Sequence, residues 1–269
     1  MVELRPAHAD IFFVSSDLKI LLMKINLKLS LLLVFMMTGI MAQTDVPTDY
    51  LSSEFHKTRR EALRNSMPEN SVAVFFSNPI RNRANDVDYI YHQDPNFYYL
   101  TGLKEPHSVL VIFSEEQEKN GKTFNEALYV YERGERYKIY NGAGVGVKGA
   151  QENLGFTNVY KGQAFIDEPI DFSKFDKIMF KEFEDDVRKK GREQPNLYAL
   201  IEQFKSSINT IPMPEGKEVD AESKPAQSIV DTRSLRKLMA GLREVKTAEE
   251  LKLIKKAVEI SCVGQIEVM

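Results

Sequence analysis

Apolar positions along this chain follow two patterns, short unbroken runs and helical stripes. Residues 71–76 (SVAVFF) and 108–113 (SVLVIF) are unbroken, rich in β-branched side chains and too short for a stable helix. Such runs predict strands buried on both faces. Residues 126–132 (EALYVYE) predict a third strand and 158–161 (NVYK) a short fourth. The stripes lie before and between them. Leu51, Phe55, Ala62 and Leu63 recur at helical spacing until Pro68 stops the segment. Helices are also predicted over 148–154, over part of 172–190 and over 195–208, where Leu197, Leu200, Ile201, Phe204 and Ile208 share a face. Strands alternating with helices predict an α/β fold, a sheet covered by helices.

Residues 209–229 are rich in Pro, Glu, Lys and Ser and read as a connector. Beyond it, Asp231 or Thr232 is placed to cap a short helix carrying Leu235, Leu238, Met239 and Leu242. Thr247 and Glu250 have the spacing of a capping box and open another helix. Its stripe of Leu251, Ile254, Val258, Cys262, Ile266 and Met269 requires a partner surface, and the helical pattern still runs at Met269. At the other end, Lys24 and Lys28 precede the apolar stretch Leu29 to Ile40, and Ala42 suits a cleavage site. That layout predicts a secretory signal peptide, with Met23 as the start residue and an exported product, periplasmic or secreted. A spanning helix takes about 20 apolar residues, so no stable membrane span is expected. The expected divisions are a leader over 1–42, an α/β domain over 43–230, and over 231–269 a linker helix with the truncated start of a further domain.

Composition narrows the function classes. The 269 residues are 43% hydrophobic and 28% charged, ordinary for a soluble globular protein. A net charge of -3 gives no positive field for nucleic acid. One cysteine, Cys262, forms neither an internal disulfide nor a CxxC pair. Gly144, Gly146 and Gly149 spell GxGxxG, but the charged residues 133–141 before them are no buried strand, so a loop leading into a short helix is the reading. Asp86, Asp88 and Asp94 lack the glycine and glutamate spacing of a calcium loop. His8, His56, His92 and His107 show no HExxH pairing, and no GxSxG elbow is present.

One stretch carries a resemblance. Residues 81–113 read RNRANDVDYIYHQDPNFYYLTGLKEPHSVLVIF. The succession Arg83 to Asp88, Tyr89 to Asp94, Phe97 to Gly102, Glu105-Pro106 and Val109 to Phe113 closely resembles the N-terminal domain of the aminopeptidase P family, the Xaa-Pro aminopeptidases. His92 stands where that family often has Arg, and Tyr140 where Trp is usual. Arg59, Arg60, Leu63 and Met67 resemble the family's first helix, and 242–261 resembles the junction into its pita-bread catalytic domain. The resemblance implies a mixed β-sheet flanked by helices. It implies a parent enzyme that removes an N-terminal residue preceding proline, from a peptide with proline at the second position, at a dinuclear manganese centre held by two Asp, one His and two Glu. It also implies a homo-oligomer, with Phe97, Tyr98, Tyr99, His92 and Arg83 as possible contacts at the active-site edge or between subunits. After residue 245 this chain has no Asp and no His, and its Glu residues there match no ligand position. The chain alone is therefore expected to be inactive and to bind no metal. Two other readings stay open: a non-catalytic binding or assembly module of the same fold, and part of a creatinase- or prolidase-like hydrolase.

Overall fold

The run 71–76 becomes β1 (Ser71–Phe76), and five of its six residues are buried. The computed structural model describes residues 50–119, 121–184, 186–187, 195–211 and 229–269. The leader and signal peptide expected over 1–42, and residues 212–228 of the connector, lie outside the described residues. β1 pairs antiparallel with β4 (Val109–Lys119) and parallel with β7 (Lys177–Phe180). β4 pairs antiparallel with β5 (Lys122–Val130), β5 pairs parallel with β6 (Val159–Lys161), and β7 pairs parallel with β8 (Val230–Asp231). The result is one mixed sheet in the order β6-β5-β4-β1-β7-β8. A separate exposed hairpin joins β2 (Asn82–Ala84) to β3 (Val87–Asp88).

Alternation along the strands sends side chains to opposite faces. Ala73, Phe75, Leu110, Ile112 and Leu128 meet α1 (Ser53–Ser66), α2 (Pro95–Thr101), α4 (Gly146–Asn153) and α7 (Ser234–Glu244). Val72, Val74, Val109, Val111 and Tyr129 meet α5 (Gly162–Asp167), the 3₁₀ turn Phe172–Lys174 and α6 (Leu197–Asn209). Between α4's loop and β5 lies α3 (Glu135–Asn141). Arg60 of α1 is fully buried, and its charge is matched rather than stranded. Its guanidinium donates to both carboxylate oxygens of Glu126 on β5 and to the Leu100 carbonyl, and it lies over the Phe156 ring at 3.8 Å.

The segment 172–190 departs from its expected helix. Among the described residues of this segment the one helical turn is the 3₁₀ turn Phe172–Lys174, and 177–180 is a strand beside β1. Ile178, Met179 and Phe180 fill both faces of the sheet, so burial between β1 and β8 makes these residues a strand. The cap position of α7 falls on Arg233, not on the expected Asp231 or Thr232; Asp231 instead accepts from the amides of Arg233 and Ser234 from two positions before it. Those bonds, with Lys177 beside it, hold its carboxyl below the usual range against the opposing effect of burial. The capping box at Thr247 and Glu250 opens α8 (Ala248–Val268), none of whose residues is buried. No described helix is long and apolar enough to cross a membrane.

Candidate functional site

The stretch that carries the family resemblance folds around one amide. Gln93 Oε1 accepts from the Asn78 amide, the Tyr91 hydroxyl and the Asp94 amide, while Nε2 donates to the carbonyls of Leu103 and Glu105. Burial pushes the Tyr91 phenol up, so it stays a donor. Asp94 then caps α2 by accepting from the amides of Asn96 and Phe97, and Pro95 supplies the fixed φ of the first helical turn. Gly102 ends α2 at φ 71, with the ring of His56 2.8 Å from where a Cβ would stand. Both the backbone angle and the space demand glycine there. His56 Nδ1 lies 2.9 Å from the Tyr99 carbonyl. Burial lowers the His56 pKa; the Tyr99 carbonyl and the Glu249 charge oppose this, and Arg60 adds to it.

This knot holds the junction between α7 and α8. The Tyr99 hydroxyl donates to the Leu242 carbonyl at 3.1 Å. Arg243 donates to Asn96 Oδ1 at 2.9 Å, and its guanidinium lies 5.7 Å from the centre of the Tyr99 ring. Glu249, in the first turn of α8, accepts from the amide and hydroxyl of Ser52 at the cap of α1. Burial, with Glu250 nearby, raises the Tyr99 pKa and keeps its O–H in place. Asn96 and Tyr99 thus hold the last turn of α7, and Ser52 holds the first turn of α8.

The residues marked as possible edge contacts separate. Phe97 is wholly inside the core, so its ring lines no open wall. Tyr99 is buried and committed to the junction. Tyr98 is partly exposed, edge-on to His56 and 5.8 Å from the Lys104 ammonium. His92 and Arg83 are exposed, Arg83 on the β2–β3 hairpin. Ile90, at 84% exposure, and Ile139 on α3 are surface apolar groups that the sequence reasoning did not single out; Tyr140, which it did, is exposed beside Ile139.

The glycine loop holds no phosphate cradle. Its Val145 and Val147 amides donate to the carboxylates of Glu105 and Glu132, at 3.1 and 3.2 Å, and Arg133 pairs with Glu105. The donors a nucleotide would need are taken by carboxylates. Asp94 is spent on the α2 cap and Asp88 accepts from Asn82. Among the described residues, no three His, Cys, Asp or Glu side chains gather where they could hold a metal ion, so the residues present do not fit a dinuclear centre.

The model of the family described as aminopeptidase P, N-terminal domain, matches residues 56–171. The Xaa-Pro aminopeptidase of Haemophilus influenzae is 26% identical over 219 residues, which is 81% of this chain and 43% of that protein. Intermediate cleaving peptidase 55 of Schizosaccharomyces pombe is 33% identical over 115 residues, 42% of this chain and 23% of that protein. The structure of Pseudomonas aeruginosa aminopeptidase PepP superposes with a TM-score of 0.61 at 22% identity, covering 82% of this chain and 45% of that one. The chain spans less than half the length of each of these relatives.

Proposed function

Given that the chain carries over residues 56–171 an N-terminal domain of the aminopeptidase P family, we propose that it is the positioning, non-catalytic part of an exported Xaa-Pro aminopeptidase. The observation that carries this reading is the grip of Asn96 and Tyr99 on the α7–α8 junction. A domain that holds the last turn of α7, and through Ser52 the first turn of α8, orients the segment that α8 belongs to. The reaction of the whole enzyme is release of an N-terminal residue ahead of proline, at a metal centre supplied by residues other than those described. The manganese preference and the homo-oligomer follow from the family resemblance. Export rests on the signal-peptide pattern over 23–43. Tyr98, His92, Arg83, Tyr140 and Ile139 supply the partly or fully exposed groups for an active-site edge or a subunit contact.

The test incubates purified 43–269 with manganese and a peptide bearing proline at its second position, followed by mass spectrometry. No release of the first residue is expected. Metal-dependent release that survives removal of contaminating peptidases overturns the non-catalytic assignment.

A further inference from the structure

On the sheet face opposite α2, a cleft of about 260 Å³ opens between the ends of β4, β5 and β6, α5 and the 3₁₀ turn. Its wall is aromatic: Phe113, Phe124, Tyr129, Tyr160 and Phe175. Phe113 stacks on Phe175 at 5.6 Å, and Tyr129 lies at 5.5 Å from Tyr160 with 30° between the rings. Gln117, Glu118, Lys119, Glu168, Asp171 and Lys174 complete the lining, and the volume lies just below the range usual for small-molecule sites, which suits a small ligand.

A polar group of the aromatic wall is the Tyr129 hydroxyl. The residue is 7% exposed, and no described residue hydrogen-bonds to its Oη. The oxygen is not sealed from solvent, so the hydroxyl is open to an acceptor that enters the cleft. Burial first, then Tyr160 and Glu168, hold its pKa above the ordinary tyrosine value. It therefore stays an O–H donor, and what it lacks is an acceptor. The rim decides the ligand's charge. Lys119 pairs with Glu168 at 2.6 Å and Lys174 with Asp171 at 3.5 Å, so both lining lysines already have their counter-ions. Phe113 is buried, stacked on Phe175 and edge-on to Phe124, so its faces are closed to a cation.

We propose that this cleft binds a neutral one- or two-ring aromatic molecule, its ring among Phe113, Phe124 and Tyr160 and its carbonyl-type oxygen accepting from Tyr129 Oη. The site is separate from the α7–α8 junction and independent of the proposed peptidase role. Nothing in it is reactive; it is a recognition site.

Acetophenone is the probe and ethylbenzene its isostere without the acceptor. Each is titrated into the isotope-labelled chain and followed by amide chemical shifts. Binding in the millimolar range is expected, with shifts confined to 117–119, 124, 160–164 and 168–175. Tyr129→Phe is expected to weaken acetophenone about three- to tenfold while leaving ethylbenzene unchanged, the value of one hydrogen bond. Ala164→Leu, which fills the cleft, is expected to abolish both. Absence of localised shifts, or equal acetophenone affinity in wild type and Tyr129→Phe, overturns the proposal. So does occlusion of the same residues by self-association when no probe is present.

Discussion

Gln93 satisfies five partners with one side-chain amide. Gln93→Glu keeps the shape but turns two donated bonds into carboxylate–carbonyl repulsions. A loss of about 2–3 kcal/mol in denaturant unfolding is expected, since buried carbonyls are left without donors. His56 supplies a pH dependence. Its folded pKa is lowered below the ordinary 6.5, chiefly by burial. The unfolded chain therefore binds the proton first as pH falls. The stability from the neutral ring is complete above 6.5 and is lost as pH drops below that value toward the folded pKa. Melting temperatures between pH 8 and 5 are expected to fall more steeply in wild type than in His56→Gln; parallel curves count against the assignment. Neither role was legible in the sequence. The resemblance marked Gln93 as a family position, but a glutamine's partners come from 15 residues upstream and 12 downstream. His56 had no sequence neighbour to signal burial, and Gly102, which touches its ring, lies in another helix.

At the scale of elements, the junction is the part most open to testing. Tyr99→Phe removes one bond to Leu242, and Arg243→Ala removes both the Asn96 bond and the contact with the Tyr99 ring. Amide exchange over 245–252 is expected to accelerate in both variants, about tenfold for Arg243→Ala if its loss costs about 1.5 kcal/mol locally. Unchanged exchange there would mean that α8 is fixed by something else. The elements that periodicity found were those whose pattern was long or unbroken. β1, β4, β5, α6 and the capping box of α8 all follow from adjacent residues. β7 was missed because its four residues, KIMF, become a strand only through pairing with β1 and β8. The α2 helix hid within FYYL, aromatic residues that favour strands, and the Asp94-Pro95 start decides it. The expected partner-seeking stripe of α8 is at the surface: Leu251, Val258 and Ile266 are all more than half exposed. Val258→Glu is expected to reduce binding of a hydrophobic dye without lowering the melting temperature.

Across the whole molecule, one sheet is shared by two apolar clusters. Phe204 meets Phe76, Phe172, Phe180 and Phe183 on one side, and Leu63 is fully buried on the other. Phe204→Ala is expected to cost about 3–5 kcal/mol and Leu63→Ala about 2–5. Because the strands are common to both layers, each loss is expected to shift a single unfolding transition rather than split it. Two separate transitions in calorimetry would show that the layers melt independently. The α/β class and the family were legible at this scale because the sheet's own runs and the 81–113 signature are local in the chain. The order of the strands was not, since β1 sits between β4 and β7, one paired antiparallel and one parallel.

The junction also bears on how a ribosome delivers this protein. Its bonds join residues 143 and 147 positions apart at Tyr99–Leu242 and Asn96–Arg243, and 197 apart at Ser52–Glu249. By contrast β1, β4, β5, β6 and β7 all end by residue 180, so they leave the exit tunnel well before Leu242, Arg243 and Glu249 do. Domains fold as units, N-terminal parts first, during synthesis at about 5–20 residues per second. Five of the six strands are therefore available to pair seconds before Leu242, Arg243 and Glu249 emerge to be gripped. The nascent chain thus has time to build the surface, with Tyr99 and Asn96 on it, that receives the end of α7.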